Sequence, residues 1–366
     1  MKIEAIGIIG ADAAGTGLAE IALLKGLQVR IYDVFRDSLR VSASKIQWAL
    51  AKSGKKELFA NLETVQDLEK LGGADIIIEA AVTGLEERFA LFKKLIPVVG
   101  QNCIVAAKGG VEPVSGFGWE LPAPERFLGF NFILPIRKAK LVEIIRTEKT
   151  GDGALDCGMD FARSIGKTPV MVKDNPGAMV ERLLRPFTLG GARLLEAGKG
   201  LPHEIDAAVK EIGGMAHGPL ETADFMGIDH CIKAGNVIYE YLGHPERLAS
   251  SGVETRLEQY GNVGKKSTAG YYLYEDGEIV GENPALPGIV KYLGIKNVSK
   301  EEIFAEIMRS VVEEAKLLAS EVMASELDIE TAAKLGIGWP KGPFGYLKDM
   351  EQLLSKKPER RSSEWD

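Results

Sequence analysis

The chain has 366 residues, of which 45% are hydrophobic and 27% are charged, and its formal net charge is −7. This length suits two or three domains, and the acidic balance gives no reason to expect a nucleic-acid partner. No apolar run approaches the roughly 20 residues of a membrane-spanning helix, and the N-terminus enters a strand without signal-peptide character. These features exclude a membrane-spanning protein from our expectations and favour a globular protein of the cytoplasm.

The cysteine and histidine patterns give no indication of a metal. Cys103, Cys157 and Cys231 lie far apart and form neither a metal-binding spacing nor a disulfide framework. The sequence contains no HxxxH or HExxH motif. We therefore expect reduced, mostly buried thiols and no metal site.

The first 145 residues alternate between strand and helix patterns. Residues 3–10 are an apolar run that ends in glycine, residues 14–26 have helical spacing, and residues 27–33 predict a second strand. This alternation predicts an α/β fold, in which a Rossmann-like, doubly wound parallel sheet carries helices on both faces. Further strands are predicted at 74–80, 103–107, 127–132 and 139–145, with a helix at 84–99.

The remaining chain is mainly helical and repeats itself. Residues 180–224 resemble residues 304–349, since each stretch has a long amphipathic helix, a turn, an acidic helix start and a Gly-Pro pair. Such a repeat indicates a duplicated all-α C-terminal domain. Residues 274–294 have the composition of a linker. The predicted organisation is a Rossmann-like domain over 1–173, a first helical domain over 174–283, a linker over 284–298, a second helical repeat over 299–352 and a tail over 353–366.

The stretch "GADAAG" at 10–15 follows the first strand and opens the first helix. In a G-x-G-x-x-G turn the first glycine makes the tight turn and the last allows close packing of helix and strand. An acidic residue about 20 positions further on binds the adenosine ribose of NAD. Asp33 stands at that place, although it is also suited to cap the next helix. The predicted cofactor residues of this region are Gly10, Ala11, Asp12, Ala14, Gly15 and Asp33.

Asp12 replaces the middle glycine, which normally lets the backbone approach the pyrophosphate. Helix N-termini favour anions, so the Asp12 carboxylate can itself occupy that position. Two alternatives stay open: the side chain turns away and NAD binds weakly, or the turn has lost its ligand.

Several blocks of this chain, in this order, resemble the 3-hydroxyacyl-CoA dehydrogenase family, especially the dehydrogenase part of multifunctional fatty-acid oxidation subunits. They are "IGIIGADAAGTGLAEIALLKG", "ADIIIEAAVTGLEERFALFKKL", "RFLGFNFILPIRKAKLVEII", "GKTPVMVKDNPG", "HGPLETADFMGID" and "GKKSTAGYYLY". The resemblance implies an NAD(H)-dependent oxidoreductase that acts on an acyl-CoA hydroxyl or ketone. It also implies an enzyme of fatty-acid metabolism.

The resemblance places the family's catalytic histidine at Asn131 and the glutamate that orients it at Glu143. Asparagine cannot take a proton, and losing a general base costs about 10²–10⁴ in rate. The resemblance implies further cofactor contacts by Val82, Thr83, Arg88, Lys108 and Lys266. It implies substrate contacts at Gly110, Leu134, Glu181 and Lys45.

Lys108 and Asn131 each have more than one interpretation. Lys108 follows a parallel strand, where it could donate a proton with support from Glu143, bind a phosphate or the substrate, or have no role. Asn131 could donate a hydrogen bond to a carbonyl or merely satisfy buried backbone groups. Lys45 belongs to a basic helix face that would meet CoA phosphates or be solvated. His217 is a weak candidate for a substitute base.

Two functions are therefore carried forward, with a different reaction class on the same fold as a third. The first is an NAD(H)-dependent oxidoreductase of an acyl-CoA or related carbonyl, with Lys108, Asn131 and Glu143 as catalytic residues. The second is a non-catalytic CoA- or nucleotide-binding subunit that partners another acyl-CoA enzyme. We expect a monomer or homodimer, or a subunit of a larger acyl-CoA-processing complex.

Overall fold

The computed structural model describes residues 2–81, 84–289, 298–321 and 323–355. Within these ranges the chain divides into two compact units. The sheet unit comprises residues 1–181 together with 321–336, and the helical unit comprises residues 182–320 together with 337–366. The sheet unit was expected to end near residue 173.

Two sets of contacts account for this later boundary. The backbone N–H of Lys173 donates to the carbonyl of Met323 at 2.7 Å. The backbone N–H groups of Met179 and Val180 donate to Glu143. These contacts keep residues 174–181 and 321–336 with the sheet unit, although both ranges lie in the predicted helical domains.

The eight strands described in the sheet unit form one sheet in the order β3-β2-β1-β4-β5-β6-β7-β8. All neighbours pair parallel except β6 and β7, which are antiparallel, while β7 and β8 are parallel to each other. The sheet is thus mixed at one edge, where the sequence analysis expected parallel strands throughout. The strands are β1 Ala5–Ile9, β2 Gln28–Tyr32, β3 Leu62–Val65, β4 Ile76–Glu79, β5 Ile104–Lys108, β6 Phe127–Phe132, β7 Leu141–Arg146 and β8 Thr168–Lys173.

Helices cover both faces of this sheet, as predicted. On one face Phe161 packs edge-on against Phe130 of β6, with ring centroids 6.0 Å apart. On the other face Phe92 packs against Phe127 of the same strand at 5.8 Å. Phe127 and Phe130 lie on opposite faces of the sheet because successive side chains of a strand point in opposite directions. The helices of the sheet unit are α1 Ala13–Leu24, α2 Arg36–Lys52, α3 Leu85–Leu95, α4 Ser115–Gly118 and α5 Asp152–Ser164.

The remaining described chain is helical except for one hairpin. Strands β9 Tyr272–Glu275 and β10 Glu278–Glu282 pair antiparallel, so the first part of the stretch that resembled a linker is ordered sheet. Residues 290–297, the centre of the predicted linker, lie outside the described residues. The helices are α6 Val180–Glu196, α7 Pro202–Gly213, α8 Pro219–Met226, α9 Ile228–Tyr241, α10 Gly252–Gln259, α11 Leu286–Ile289, α12 Lys300–Ser320, α13 Glu326–Ala332 and α14 Pro343–Ser355.

The three cysteines are buried, as expected. Across the described ranges, no helix has the length and apolar character needed to cross a membrane. The same part of the chain contains no group of three or more His, Cys, Asp or Glu residues that could hold a metal ion.

Candidate active site

The turn between β1 and α1 requires both of its glycines. Gly10 has a φ of +103°, and a Cβ at this position would lie 2.8 Å from the backbone of Ala81. A Cβ on Gly15 would lie 1.8 Å from the carbonyl oxygen of Gly10. The first and last glycines of the motif therefore have the steric roles that the sequence predicts.

Asp12 is the N-cap of α1. Its Oδ1 accepts hydrogen bonds from the backbone N–H groups of Ala14 at 2.9 Å and Gly15 at 3.0 Å. Aspartate is among the preferred N-cap residues because its carboxylate satisfies donors that the first turn leaves unpaired. The side chain that replaces the middle glycine therefore turns toward the helix end where a phosphate would be expected.

Asp33 follows β2 and also binds the turn. Its Oδ2 accepts from the N–H of Ala11 and its Oδ1 from the N–H of Phe35, both at 2.9 Å. A cavity of about 460 Å³ opens beside Asp12 and Asp33, with exposed Val34 and Phe35 in its lining. An acidic group next to an apolar wall is suited to the ribose and adenine of a nucleotide.

The residues present therefore fit one half of NAD better than the other. The nucleoside half has Asp33 and the cavity, whereas the pyrophosphate half meets the Asp12 carboxylate at the helix N-terminus.

An ion pair fixes the backbone of Lys108 at the end of β5. Glu79, at the end of β4, is fully buried, and its Oε2 accepts from the backbone N–H of Lys108 at 3.0 Å. Arg88, on α3, donates to both Glu79 Oε2 and the carbonyl of Lys108 at 2.7 Å. Arg88 was expected to contact the cofactor, and here its guanidinium holds the strand end and lies over the Phe117 ring.

Asn131 and Glu143 lie side by side on β6 and β7. They are directly opposed in the antiparallel register, and Asn131 Nδ2 donates to Glu143 Oε2 at 2.6 Å. The other oxygen, Oε1, accepts from the backbone N–H groups of Met179 at 2.8 Å and Val180 at 3.0 Å. Glu143 is completely buried, while Asn131 is partly exposed. The resemblance led us to expect this pair, and the structure brings it together.

The protonation of Glu143 is shifted by its surroundings. Burial raises the pKa of the Glu143 carboxyl to about 7, because a charge is costly away from water. The hydrogen bonds from Met179, Asn131 and Val180 oppose this rise, and the nearby Glu181 adds to it. The carboxyl therefore changes charge near neutral pH.

Lys108 does not join this pair. A Cβ on Gly109 would lie 2.8 Å from the Cβ of Asn131, so position 109 faces Asn131. Side chains alternate along a strand, and Lys108 pairs with Phe130, so Lys108 leaves the sheet on the face opposite to Asn131 and Glu143. The expectation that Glu143 supports Lys108 is therefore not met.

The positions expected to bind substrate are spread over the sheet unit. Gly110 comes two residues after Lys108, and a Cβ there would meet no atom within 4 Å. Leu134 is 57% exposed and precedes a cis proline. Glu181 is partly buried and Lys45 is exposed on α2.

Two further expected residues belong to the helical unit, and two more are outside the described residues. Lys266 belongs to the helical unit, where its ammonium group pairs with Asp229 at 2.6 Å. His217 is an exposed residue of that unit. Val82 and Thr83 lie outside the described residues.

Sequence reasoning missed Glu79 and the N–H groups of residues 179 and 180. Glu79 had a readable signal, because an acidic residue at the end of the apolar run "IIIE" needs a buried partner. The two N–H groups had none, since any residue type supplies them.

Comparison with known proteins agrees with this geometry. The profile described as "3-hydroxyacyl-CoA dehydrogenase, NAD binding domain" matches residues 5–175, and its "C-terminal domain" counterpart matches residues 177–274. The 3-hydroxybutyryl-CoA dehydrogenase of Bradyrhizobium diazoefficiens is 30% identical over 74% of this chain and 96% of its own length. The chain therefore belongs to the 3-hydroxyacyl-CoA dehydrogenase family, and it contains the family's NAD-binding domain.

Two further relatives extend over nearly the whole chain. The fatty acid oxidation complex subunit alpha of Idiomarina loihiensis is 28% identical over 95% of this chain, which spans about half (51%) of that subunit. The crystal structure of 3-hydroxybutyryl-CoA dehydrogenase from Escherichia coli K12 superposes with a TM-score of 0.85, covering 96% of this chain and 92% of that one. At 24% identity the latter supports the fold alone.

Proposed function

We propose that this chain is an NAD(H)-dependent oxidoreductase of an acyl-CoA or related hydroxyl or carbonyl compound, in which Asn131 orients the substrate oxygen in place of a general base. The hydrogen bond between Asn131 and Glu143 carries the proposal. It keeps the arrangement of base and orienting carboxylate that the family resemblance implies, with an amide in place of the imidazole. The names of the relatives support the substrate class.

The bound amide still has two groups for a ligand. One Nδ2–H of Asn131 is used by Glu143, which leaves the second N–H as a donor and Oδ1 as an acceptor. The donor can bind a carbonyl oxygen and the acceptor can bind a hydroxyl, but neither can take a proton. NAD(H), when bound, supplies or accepts the hydride, and the proton exchanges with water rather than with residue 131.

The roles of the other expected residues stay proposals. Glu143 is a positioning residue, because it contacts Asn131 and backbone and is completely buried. Lys108, on the opposite face of the sheet, suits a cofactor or substrate phosphate better than proton transfer to the Asn131 site. A cytoplasmic location and a monomer, homodimer or complex subunit remain predictions.

Steady-state reduction of acetoacetyl-CoA by NADH tests the proposal. The wild type should turn over slowly, and Asn131→His should be faster by about 10²–10⁴, because it restores a proton-transferring group beside Glu143. Asn131→Ala is the control, and it should be slower than the wild type because both hydrogen-bonding groups are lost. Equal rates for the wild type and Asn131→Ala would contradict a role for the amide.

A second candidate is a non-catalytic CoA- or nucleotide-binding subunit. Gly110 and Leu134 favour it, because they offer no polar side chain where the family resemblance implies substrate contacts. In that case Asn131→His would bind NADH or CoA and still give no turnover. Co-purification with an active acyl-CoA enzyme would then identify the partner.

A further inference from the structure

Five backbone donors of the β1–α1 turn and the start of α1 are already occupied. The N–H of Gly10 donates to the carbonyl of Tyr32 at 2.8 Å, and that of Thr16 donates to the carbonyl of Asp12 at 2.9 Å. The N–H of Ala11 donates to Asp33. The N–H groups of Ala14 and Gly15 both donate to Asp12. A pyrophosphate that takes the N–H groups of Ala14 and Gly15 must therefore replace a carboxylate that is already bound.

We propose that Asp12 is an internal competitor of the cofactor pyrophosphate and that it sets a low affinity of this domain for NAD(H). The inference rests on the proposed function, because it concerns the affinity of the same cofactor site. Asp12 is also part of the cavity lining, so a ligand bound there would lie against this residue.

Two physical effects oppose the pyrophosphate. The first is repulsion between like charges, which is strong beside a partly buried helix end. The second is the loss of the cap, since turning Asp12 away leaves the N–H groups of Ala14 and Gly15 to be satisfied by the ligand alone. The helix end that normally attracts a phosphate is thus neutralised by the chain itself.

The nucleoside end of the site is unaffected by this competition. Asp33, Val34 and Phe35 line the cavity from the segment after β2, and none of them accepts from the N–H groups that Asp12 caps. Adenosine, which has no phosphate, should therefore bind equally well with and without the Asp12 charge. This difference between the two ligands separates the proposed competition from a general change in the cavity.

The test measures NADH affinity by nicotinamide fluorescence and adenosine affinity by calorimetry on the full chain. Asp12→Gly should bind NADH at least about tenfold more tightly than the wild type, because the charge is removed and the N–H groups of Ala14 and Gly15 become available to the ligand. Asp12→Asn keeps a good N-cap without the charge, so its NADH affinity should lie between the two. Adenosine affinity should change by less than about twofold in both variants.

Asp160→Asn is the matched control, since it removes one exposed carboxylate of the same unit, paired with Arg163, and should leave NADH affinity unchanged. Asp12→Ser, which caps the helix without charge, replaces Asp12→Gly if the latter fails to fold. Equal NADH affinity in the wild type and the Asp12 variants would overturn this inference alone. NADH binding by none of the proteins would overturn both the inference and the proposed cofactor use.

Discussion

The sheet unit and the helical unit each contain buried carboxyl groups, and these groups differ in the donors from which they accept hydrogen bonds. Burial raises the pKa of Glu143 in the sheet unit to about 7, and it does the same for Asp206 and Asp224 in the helical unit. All three carboxyl groups accept three hydrogen bonds from the chain. The number of contacts and the direction of the pKa shift therefore do not separate them.

The partners do separate them. Asp206 accepts from the N–H groups of Leu220 and Glu221 at the start of α8 and from the hydroxyl of Tyr272 at 2.6 Å. Two of its donors are thus backbone groups of a helix end, and the third is a buried hydroxyl. Glycine is needed beside it, because a Cβ on Gly218 would lie 2.2 Å from Asp206 Oδ1.

Asp224 has the same kind of environment. It accepts from the N–H groups of Tyr271 and Tyr272 and from the hydroxyl of Tyr274. All of these donors belong to the chain's own interior. Glu143, in contrast, holds the amide of a partly exposed side chain, which makes it the carboxyl group that can act on a ligand through Asn131. A raised pKa marks a functional site only when one of the partners is accessible.

The largest expected effect is on stability. Asp224→Ala should lower the free energy of unfolding by about 3–5 kcal/mol, because it leaves three buried donors unsatisfied. Glu143→Ala should lower the free energy of unfolding by a similar amount, since it also leaves three donors without an acceptor. Urea unfolding followed by circular dichroism measures both. A loss of less than about 1 kcal/mol in either variant would show that the two carboxyl groups do not contribute equally to stability.

Replacing each carboxyl group by the amide of the same shape should then show which of them contributes to catalysis and which only to folding. In the Asn131→His protein, Glu143→Gln should lower kcat by about 10²-fold, because the glutamine no longer fixes the imidazole tautomer. Its pH profile should shift as well, a change that a purely structural role would not produce. Asp206→Asn is the control and should leave kcat and KM unchanged. An equal loss in both variants would mean that Glu143 acts only through folding.

The pH dependence of stability sharpens the comparison further. Each of these carboxyl groups has a folded-state pKa above its usual value, so the folded protein binds the proton more tightly than the unfolded chain. The free energy of unfolding should therefore be highest below about pH 4 as far as these groups are concerned, and it should fall as the pH rises from there to about 7. Above that range their contribution should be constant.

The helical unit contains two such groups and the sheet unit one. The double variant Asp206→Asn, Asp224→Asn should therefore reduce the dependence of the free energy of unfolding on pH more than Glu143→Gln does. Urea unfolding at pH 5, 6, 7 and 8 measures the slopes. An unchanged slope in the double variant would contradict the assignment.

The smallest effect concerns an exposed aromatic residue of each unit. Phe35, 69% exposed, lines the cavity of the sheet unit, and Phe225, 74% exposed, belongs to the helical unit. Phe35→Ala should weaken adenosine binding by about twofold to tenfold, through loss of ring contact. Phe225→Ala should have no effect in the same calorimetric titration. Equal affinities in both variants would place the nucleoside elsewhere.

Most elements of the sheet unit could be predicted, because their signals are local. The apolar runs at 3–10 and 127–132 contain β1 and β6, and the helical spacing at 14–26 covers α1 except for its first residue. Strand β8 was not recognised, since "TPVMVK" includes a proline and alternates only weakly. The hairpin of β9 and β10 was not recognised either, because its turn residues resembled a linker.

The sequence by itself determined the family, the glycines of the nucleotide turn and the absence of a proton acceptor at position 131, because these depend on residue type and spacing. Only the tertiary structure decided that Lys108 and Glu143 lie on opposite faces of the sheet, and that Arg88 holds a strand end. It also decided that the antiparallel register brings Asn131 against Glu143. The faces of Lys108, Asn131 and Glu143 depend on how distant strands are paired, and a shift of one residue would reverse them. The contact of Arg88 depends on how α3 packs against the ends of β4 and β5.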